Sequence, residues 1–132
     1  MFKCLKCGKC CLNTEMVLTP SDIRRIEKLG YVLEKFAVKS KDGLYKLRNI
    51  NGHCYFFNKK TTSCRIYDYR PIGCRIYPLI LLLDIKVITV DSNCPARSTV
   101  TLEDVIEKLP LIARVVEELK LNFDLSKVKI VL

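Results

Sequence analysis

Apolar residues recur at helical spacing soon after the first proline of the chain. Ile23, Ile26 and Leu29 lie three residues apart, with charged positions between them. The preceding tetrapeptide Thr19-Pro20-Ser21-Asp22 supplies an N-cap hydroxyl, a first-turn proline and an N3 carboxylate in the order that starts a helix. Gly30 is typical of the residue that follows a helix end. The pattern predicts an amphipathic helix that begins near Pro20 and ends before Gly30.

Two further segments carry helical patterns. The segment from Tyr31 to Val38 predicts a short second helix, which ends before the turn-like sequence Lys41-Asp42-Gly43. A longer pattern runs from Thr101 to Lys120, and Asp104 completes a capping box at its start. Because proline cannot donate a backbone hydrogen bond inside a helix, Pro110 is expected to end or restart this helix.

Strands are predicted between and after these helices. Leu44 to Ile50 and Cys54 to Phe57 flank Asn51-Gly52, the strongest short hairpin signal that a sequence contains. The aliphatic stretch from Leu79 to Val90 predicts one buried strand or a tight pair of strands. Lys127 to Leu132 is expected to add a closing strand. Together these elements predict a small α+β fold.

Composition narrows the class of protein. The chain has 132 residues, of which 49% are hydrophobic and 28% are charged, so we expect one domain over residues 1–132 with a modest core. No apolar run is long enough to cross a bilayer, and no secretory signal is recognisable. These features predict a cytoplasmic protein that makes no membrane contact.

Cysteine is the residue type that indicates a functional site. The chain contains eight cysteines, four of them in the opening segment KCLKCGKCCLN. A reducing cytoplasm favours metal ligation or redox chemistry over a disulfide framework, which stays the second alternative. The candidate metal ligands are Cys4, Cys7, Cys10, Cys11, Cys54, Cys64, Cys74 and Cys94.

The spacing of the first cysteines favours an iron–sulfur cluster over zinc. Cys-x-x-Cys turns the chain so that two sulfurs converge on one centre, and the repeat over Cys4, Cys7 and Cys10 adds a third. Ferredoxin-type motifs share this spacing and end on a cysteine followed by proline, as Cys94 is here. A 4Fe-4S cluster is therefore the favoured cofactor, and zinc is the alternative. Side chains of neighbouring residues diverge, so we assign Cys11 to a second group with the three central cysteines, Cys54, Cys64 and Cys74. The alternative is a single metal site, with the other four thiols free or structural.

Arginines lie next to two of the central cysteines, in a tetrapeptide that occurs twice. The segment CRIYDYRPIG is followed at once by CRIYPLI, which places Arg65 and Arg75 each after a cysteine. We expect these two arginines to contact the cofactor, because positive charge offsets that of metal-bound thiolates. The arginines also alternate with tyrosines, a pattern that is typical of a nucleic-acid-binding surface. The formal charge of the chain, +9, favours such binding as well. Nucleic acid is nevertheless the less favoured partner.

Other catalytic chemistries fit the sequence poorly. His53 is the single histidine and follows a hairpin turn, where a structural role is commoner than a catalytic or metal-ligating one. A thioredoxin-like dithiol would need its Cys-x-x-Cys at the head of a helix inside a strand-helix-strand unit, but here the motif precedes every predicted element. No self-sufficient catalytic set is present, so an enzymatic role would be that of an oxidoreductase component.

The same segments resemble a known family of cysteine-cluster proteins, which is named for its CxxCxxCC signature. CLKCGKCC matches the signature, LTPSDIRRIEKLG resembles the helix that follows it, and CRIYDYRPIGCRIYP resembles the second half of the family pattern. The similarity covers about residues 4–95 and leaves a C-terminal helical extension over residues 99–132. The resemblance implies a small zinc- or iron-chelating domain, often labelled an iron–sulfur protein, with no settled reaction. It carries over every cysteine up to Cys74 as a ligand, with Cys94 as a further candidate.

From these observations we predict a metal-binding protein with an iron–sulfur cluster or zinc on cysteine thiolates. Its expected role is electron transfer or redox support for a partner protein. The alternative is a zinc-stabilised adaptor that binds nucleic acid or protein.

Overall fold

The structure is a computed structural model that describes residues 8–132. These residues divide into two compact units, an N-terminal unit that extends to Arg75 and a C-terminal unit from Ile76 to Leu132. Both helices and strands are present, which confirms the predicted α+β class. Within residues 8–132, none of the helices combines the length and the apolar character that crossing a membrane requires.

The first predicted helix is confirmed, and its start is built as the sequence indicated. Helix α1 spans Pro20–Lys28 and has a complete capping box. The Thr19 hydroxyl accepts from the Asp22 backbone N–H at 3.1 Å, and the Asp22 carboxylate accepts from the Thr19 N–H at 2.9 Å. These two bonds satisfy backbone donors that a helix otherwise leaves unpaired at its N-terminus.

The predicted second helix is shorter than its pattern indicated. Helix α2 spans Leu33–Phe36, and the chain then continues as strand β2, Ala37–Lys39. Strand β2 pairs antiparallel with β3, Tyr45–Leu47, which also pairs with β1, Val17–Leu18. The sheet order β1-β3-β2 needs strand partners that are distant along the chain, and a local periodicity cannot report such partners.

The Asn51-Gly52 hairpin is confirmed, although its second arm divides between two hairpins. Strands β4 and β5, Asn49–Ile50 and His53–Cys54, pair across a two-residue turn with φ of 51° at Asn51 and 81° at Gly52. Positive φ at both positions is the geometry of a tight hairpin turn. Strands β6 and β7, Phe57–Asn58 and Ser63–Cys64, form the next hairpin. The predicted strand from Cys54 to Phe57 is therefore two short strands.

Most of the buried apolar side chains of the N-terminal unit form one cluster. Phe36 and Phe56 lie at its centre with tilted rings 5.7 Å apart, and Tyr31 meets Phe56 edge to face at 5.0 Å. Members of the cluster come from α1, α2, the sheet of β1, β2 and β3, and the segments in and around the two hairpins: Leu18, Ile26, Phe36, Ala37, Leu47, Cys54, Phe56 and Ile66. Cys54 is thus part of this core, and the other two central cysteines, Cys64 and Cys74, pack against it.

Helix α3, Ile72–Ile76, follows the second hairpin, and the C-terminal unit then forms its own sheet. The aliphatic stretch is a tight antiparallel pair, β8 over Leu79–Leu82 and β9 over Val87–Val90, as one predicted alternative required. The closing strand is also confirmed, because β10, Lys129–Val131, pairs parallel with β9.

The last helix corrects the expectation for proline. Helix α4 runs unbroken over Leu102–Glu118 with Pro110 inside it and begins with a capping box between Thr101 and Asp104. Pro110 is exposed, whereas Val105 and Ile112 are fully buried. The apolar face of α4 is buried on both sides of the proline, and this burial outweighs the loss of one backbone donor.

Candidate metal centre

The structure brings five of the predicted ligands into the N-terminal unit. They are Cys10, Cys11, Cys54, Cys64 and Cys74. None of these five forms a disulfide. Cys4 and Cys7 lie outside the described residues, and Cys94 belongs to the C-terminal unit.

The five cysteines lie near one another, and four of them belong to or pack against the core cluster. Cys54 is buried as a member of that cluster, with 6% of its surface exposed. Cys11, Cys64 and Cys74 are half-buried and pack against the same cluster. Residues from three parts of the chain therefore contribute sulfur to one region: the N-terminal turn, the two hairpins and helix α3.

Cys10 and Cys11 lie on a short 3-10 turn, Lys9–Cys11, and their side chains are hydrogen bonded to each other. The hydrogen bond from Cys11, with a smaller contribution from the charge of Arg70, lowers the pKa of Cys10 to about 7 against the opposing effect of burial. The same bond raises the pKa of Cys11, because its proton is donated to the Cys10 sulfur. Cys10 is therefore the thiol of this pair that ionises first, which suits a metal ligand.

Cys54 and Cys64 occupy equivalent positions at the ends of strands β5 and β7. Each sulfur accepts a backbone hydrogen bond from the residue two positions later, Phe56 in one case and Ile66 in the other. Burial nevertheless raises the pKa of both thiols, that of Cys54 to about 11. Backbone donors aimed at sulfur are the typical surroundings of a metal-bound thiolate, where the metal supplies the stabilisation that burial removes.

Cys74 completes the group from helix α3. Burial raises the pKa of Cys74 well above its ordinary value, and the charges of Cys54, Cys10 and Cys64 raise it further. The charges of Cys10, Cys54 and Cys64 likewise raise the pKa of Cys11. The assignment of Cys11 to a separate group from Cys10 stays a prediction; both thiols lie within electrostatic range of Cys54 and Cys64.

A buried carboxylate holds the segment that carries Cys74. Asp22 is fully buried, and its Oδ1 accepts from the Ile72 backbone N–H at 3.0 Å and from Arg25 at 2.7 Å. Arg25 also donates to the backbone oxygen of Arg70 at 2.9 Å. The capping residue of α1 thus fixes the start of α3, and we name this pair of contacts the Asp22–Arg25 clip. Only the capping role of Asp22 was predicted from the sequence, because Ile72 lies 50 positions later along the chain.

Arg70 is the arginine whose charge acts on the sulfurs. It lowers the pKa of Cys10 and of Cys64, in each case as a smaller cause than hydrogen bonding or burial. Its Nε donates to the Tyr67 backbone oxygen at 2.9 Å, and its guanidinium carbon lies 3.9 Å from the centre of the Tyr67 ring. The predicted cofactor contacts are those of Arg65 and Arg75, which adjoin cysteines along the chain. Both are exposed in the structure, and their predicted contact with the cofactor stays a prediction.

We expect Arg70→Gln to weaken metal binding by about tenfold, the lower end of the range for residues that support metal ligands. The change removes the positive charge that favours ionised Cys10 and Cys64. Competition with a chelator, followed by metal analysis, measures the effect. Arg24→Gln is the matched control, because Arg24 is exposed on α1 and its replacement removes the same charge. Equal losses in the two variants would contradict a specific role for Arg70.

The N-terminal turn packs on an aromatic pair beside Cys54. The rings of His53 and Phe57 are parallel with centroids 5.2 Å apart, and His53 Nδ1 lies 3.0 Å from the Asn51 carbonyl oxygen. Gly8 has φ of 77°, and a Cβ there would lie 2.8 Å from Phe57. Glycine is therefore required between Cys7 and Cys10, and the structural role expected for His53 stays a prediction.

The donor set fits a thiophilic metal or cluster. Zinc and iron–sulfur clusters are bound by thiolates, which the five cysteines supply together with backbone donors and the charge of Arg70. Within residues 8–132, no three cysteine, histidine, aspartate or glutamate side chains are close enough to hold a metal ion by themselves. Cys4 and Cys7 are the predicted ligands outside that range.

Cys94 lies in a well-connected turn of the C-terminal unit. It is buried, with 8% of its surface exposed, and its backbone N–H donates to the Asp91 oxygen at 3.2 Å. Its carbonyl oxygen accepts from the Arg97 backbone and side chain. Asp91 is itself held by the Tyr77 hydroxyl at 2.9 Å. These bonds fix the turn, and the ligand role of Cys94 stays a prediction.

Comparison with known proteins identifies similar sequences. The sequence model of the family CxxCxxCC, described as "Putative zinc- or iron-chelating domain", matches residues 3–97, which confirms the resemblance seen in the sequence. Uncharacterized protein MJ0661 of Methanocaldococcus jannaschii is 33% identical to the chain over 84 residues. This alignment covers 58% of the chain and 44% of the relative, so the chain matches less than half of that protein. No solved structure matches the chain significantly.

Proposed function

Because the chain belongs to the CxxCxxCC family of zinc- or iron-chelating domains, we propose that it carries an iron–sulfur cluster and supports the redox chemistry of a partner protein. The observation that carries the proposal is the convergence of cysteines in the N-terminal unit. Four of the five belong to or pack against the hydrophobic core, two of their sulfurs accept backbone hydrogen bonds, and the charge of Arg70 acts on Cys10 and Cys64. Such surroundings favour buried thiolates that are bound to a metal centre.

The spacing of the cysteines supports a cluster of the 4Fe-4S type. Cys4, Cys7 and Cys10 have the triple spacing of ferredoxin-type motifs, and Cys94 precedes Pro95 as the last ligand of such motifs does. Cys54, Cys64 and Cys74 add three thiols to the same region as Cys10. The chain therefore has enough thiols to ligate a cluster, and its backbone N–H groups can donate hydrogen bonds to the sulfurs.

A bound cluster supplies one-electron transfer, and the protein sets where and at what potential this transfer occurs. The cysteine sulfurs would ligate iron, while the Phe56 and Ile66 backbone donors and the Arg70 charge would stabilise the more electron-rich state. A domain of this kind serves as a component of an oxidoreductase that another protein completes. We place it in the cytoplasm, where reducing conditions keep such thiols available for metal.

Metal analysis after anaerobic expression tests the proposal. With iron supplied, we expect a coloured, oxygen-sensitive protein that contains iron and inorganic sulfide and can be reduced chemically. Zinc would give a colourless protein without redox activity. Stoichiometric zinc without sulfide under these conditions would overturn the iron–sulfur proposal and favour the zinc-stabilised adaptor. Expression with only zinc supplied is the control for adventitious metal loading.

A further inference from the structure

A cleft of about 510 Å³ opens on the N-terminal unit between the two hairpins. Its walls come from the Asn51-Gly52 turn, the following strand and the turn that joins β6 to β7. The residues that line it are Ile50, Asn51, His53, Cys54, Tyr55, Phe57, Asn58, Lys59, Lys60 and Arg65. A volume of this size falls within the range of small-molecule sites, which is ~300–1,000 Å³.

The lining combines positive charge with aromatic rings. Lys59, Lys60 and Arg65 are exposed, and none of the three forms an ion pair with any residue in the described part of the chain. The described lining residues include no aspartate or glutamate, so the charge of the cleft is uncompensated. Lysines and arginines that converge without acidic partners are the usual surroundings of a phosphate group.

Aromatic residues make the other half of the lining. The parallel rings of His53 and Phe57, together with Tyr55, line the cleft beside the cations. Aromatic side chains of this kind bind the flat faces of nucleobases, while amide groups such as those of Asn51 and Asn58 can bond to base edges. Phosphate and planar ring together are the chemistry of a nucleotide.

We propose that this cleft binds a nucleotide, with its phosphates on Lys59, Lys60 and Arg65 and its base against the aromatic rings. Cys54 lines the same cleft, so the bound nucleotide would lie beside the cysteine group. The chemistry is the same for a free nucleotide and for one unit of a single-stranded nucleic acid. The site does not depend on which metal the cysteines hold.

Titration of the full chain, purified anaerobically with its metal, tests this proposal. The probes are ATP, adenosine, tripolyphosphate and a short oligoadenylate, in buffer of low ionic strength. We expect saturable binding of ATP that is tighter than that of adenosine or tripolyphosphate, because each of these lacks one half of the ligand. Tripolyphosphate that binds as tightly as ATP would overturn the role of the rings.

The variant K59E/K60E should bind ATP at least about tenfold more weakly, because charge-assisted bonds to phosphate are replaced by repulsion. The matched control K35E/K41E changes the same charge at exposed positions of the same unit that do not line the cleft. It should bind within about twofold of the parent, since charges outside the cleft are screened by solvent. Equal losses in both variants would show non-specific attraction and overturn the proposal.

Two further measurements complete the test. Metal content should be unchanged in K59E/K60E, and Arg65→Gln provides a second variant if the double charge reversal does not fold. Oligoadenylate binding with the same lysine dependence, in the absence of ATP binding, would support the site and assign its nucleotide to a nucleic-acid strand. If neither ATP nor oligoadenylate binds, the cleft is not a nucleotide site.

Discussion

Replacing Cys64 by serine is expected to remove the bound metal and to lower the thermal stability of the protein strongly. Serine keeps nearly the shape of cysteine but provides no thiolate, so the loss acts through the metal and not through packing. Metal binding stabilises small metal-dependent domains by ~10 kcal/mol or more, and loss of one ligand should remove a large part of this. Metal analysis and anaerobic thermal unfolding measure the two effects.

As the control, the stabilities of the parent and of Cys64→Ser are compared after the metal has been removed from both proteins. Once a chelator has stripped both proteins, the parent and the variant should differ in stability by no more than about 1 kcal/mol, the value of the single hydrogen bond from Ile66. A stability difference that persists without metal would contradict ligation. Cys94→Ser, measured beside it, tests whether the cysteine of the C-terminal unit is also a ligand.

The second large effect is expected for Asp22→Asn. The substituted amide would lack the charge that pairs with Arg25 and would accept weaker bonds from the Thr19 and Ile72 backbones, which we expect to cost ~2–4 kcal/mol. Arg25 keeps 29% of its side chain exposed, so solvent reduces the share that its ion pair contributes. Because the Asp22–Arg25 clip holds the start of α3, we also expect metal to dissociate more readily through a displaced Cys74.

Asp104→Asn is the matched control for the clip. Asp104 is buried and completes the same capping box at the start of α4, in the C-terminal unit. Losing this cap should cost about 1 kcal/mol, the usual value of an N-cap, and should leave metal retention unchanged. Chemical unfolding and chelator competition compare the two variants. Equal metal loss in both would mean that Asp22 acts through general stability and does not position Cys74.

Local signals predicted the elements well where the bonds that make them are also local. The capping boxes at Thr19 and Thr101 join residues three positions apart, and the Asn51-Gly52 turn needs only its own two residues to adopt positive φ. Prediction was weaker where packing decides the outcome. Pro110 lies within a continuous helix because the apolar face of α4 is buried on both sides of it.

The amino-acid sequence by itself determined the helix starts, the hairpin and the identity of the thiols, because these depend on bonds within a few residues and on side-chain chemistry. Only the tertiary structure decided which residues meet. It brought Cys10 near Cys74, joined Asp22 to the start of α3, and placed Arg70 where its charge acts on the sulfurs of Cys10 and Cys64. Most of these contacts join positions 50 to 64 residues apart, and they form only when the shared hydrophobic core closes around them.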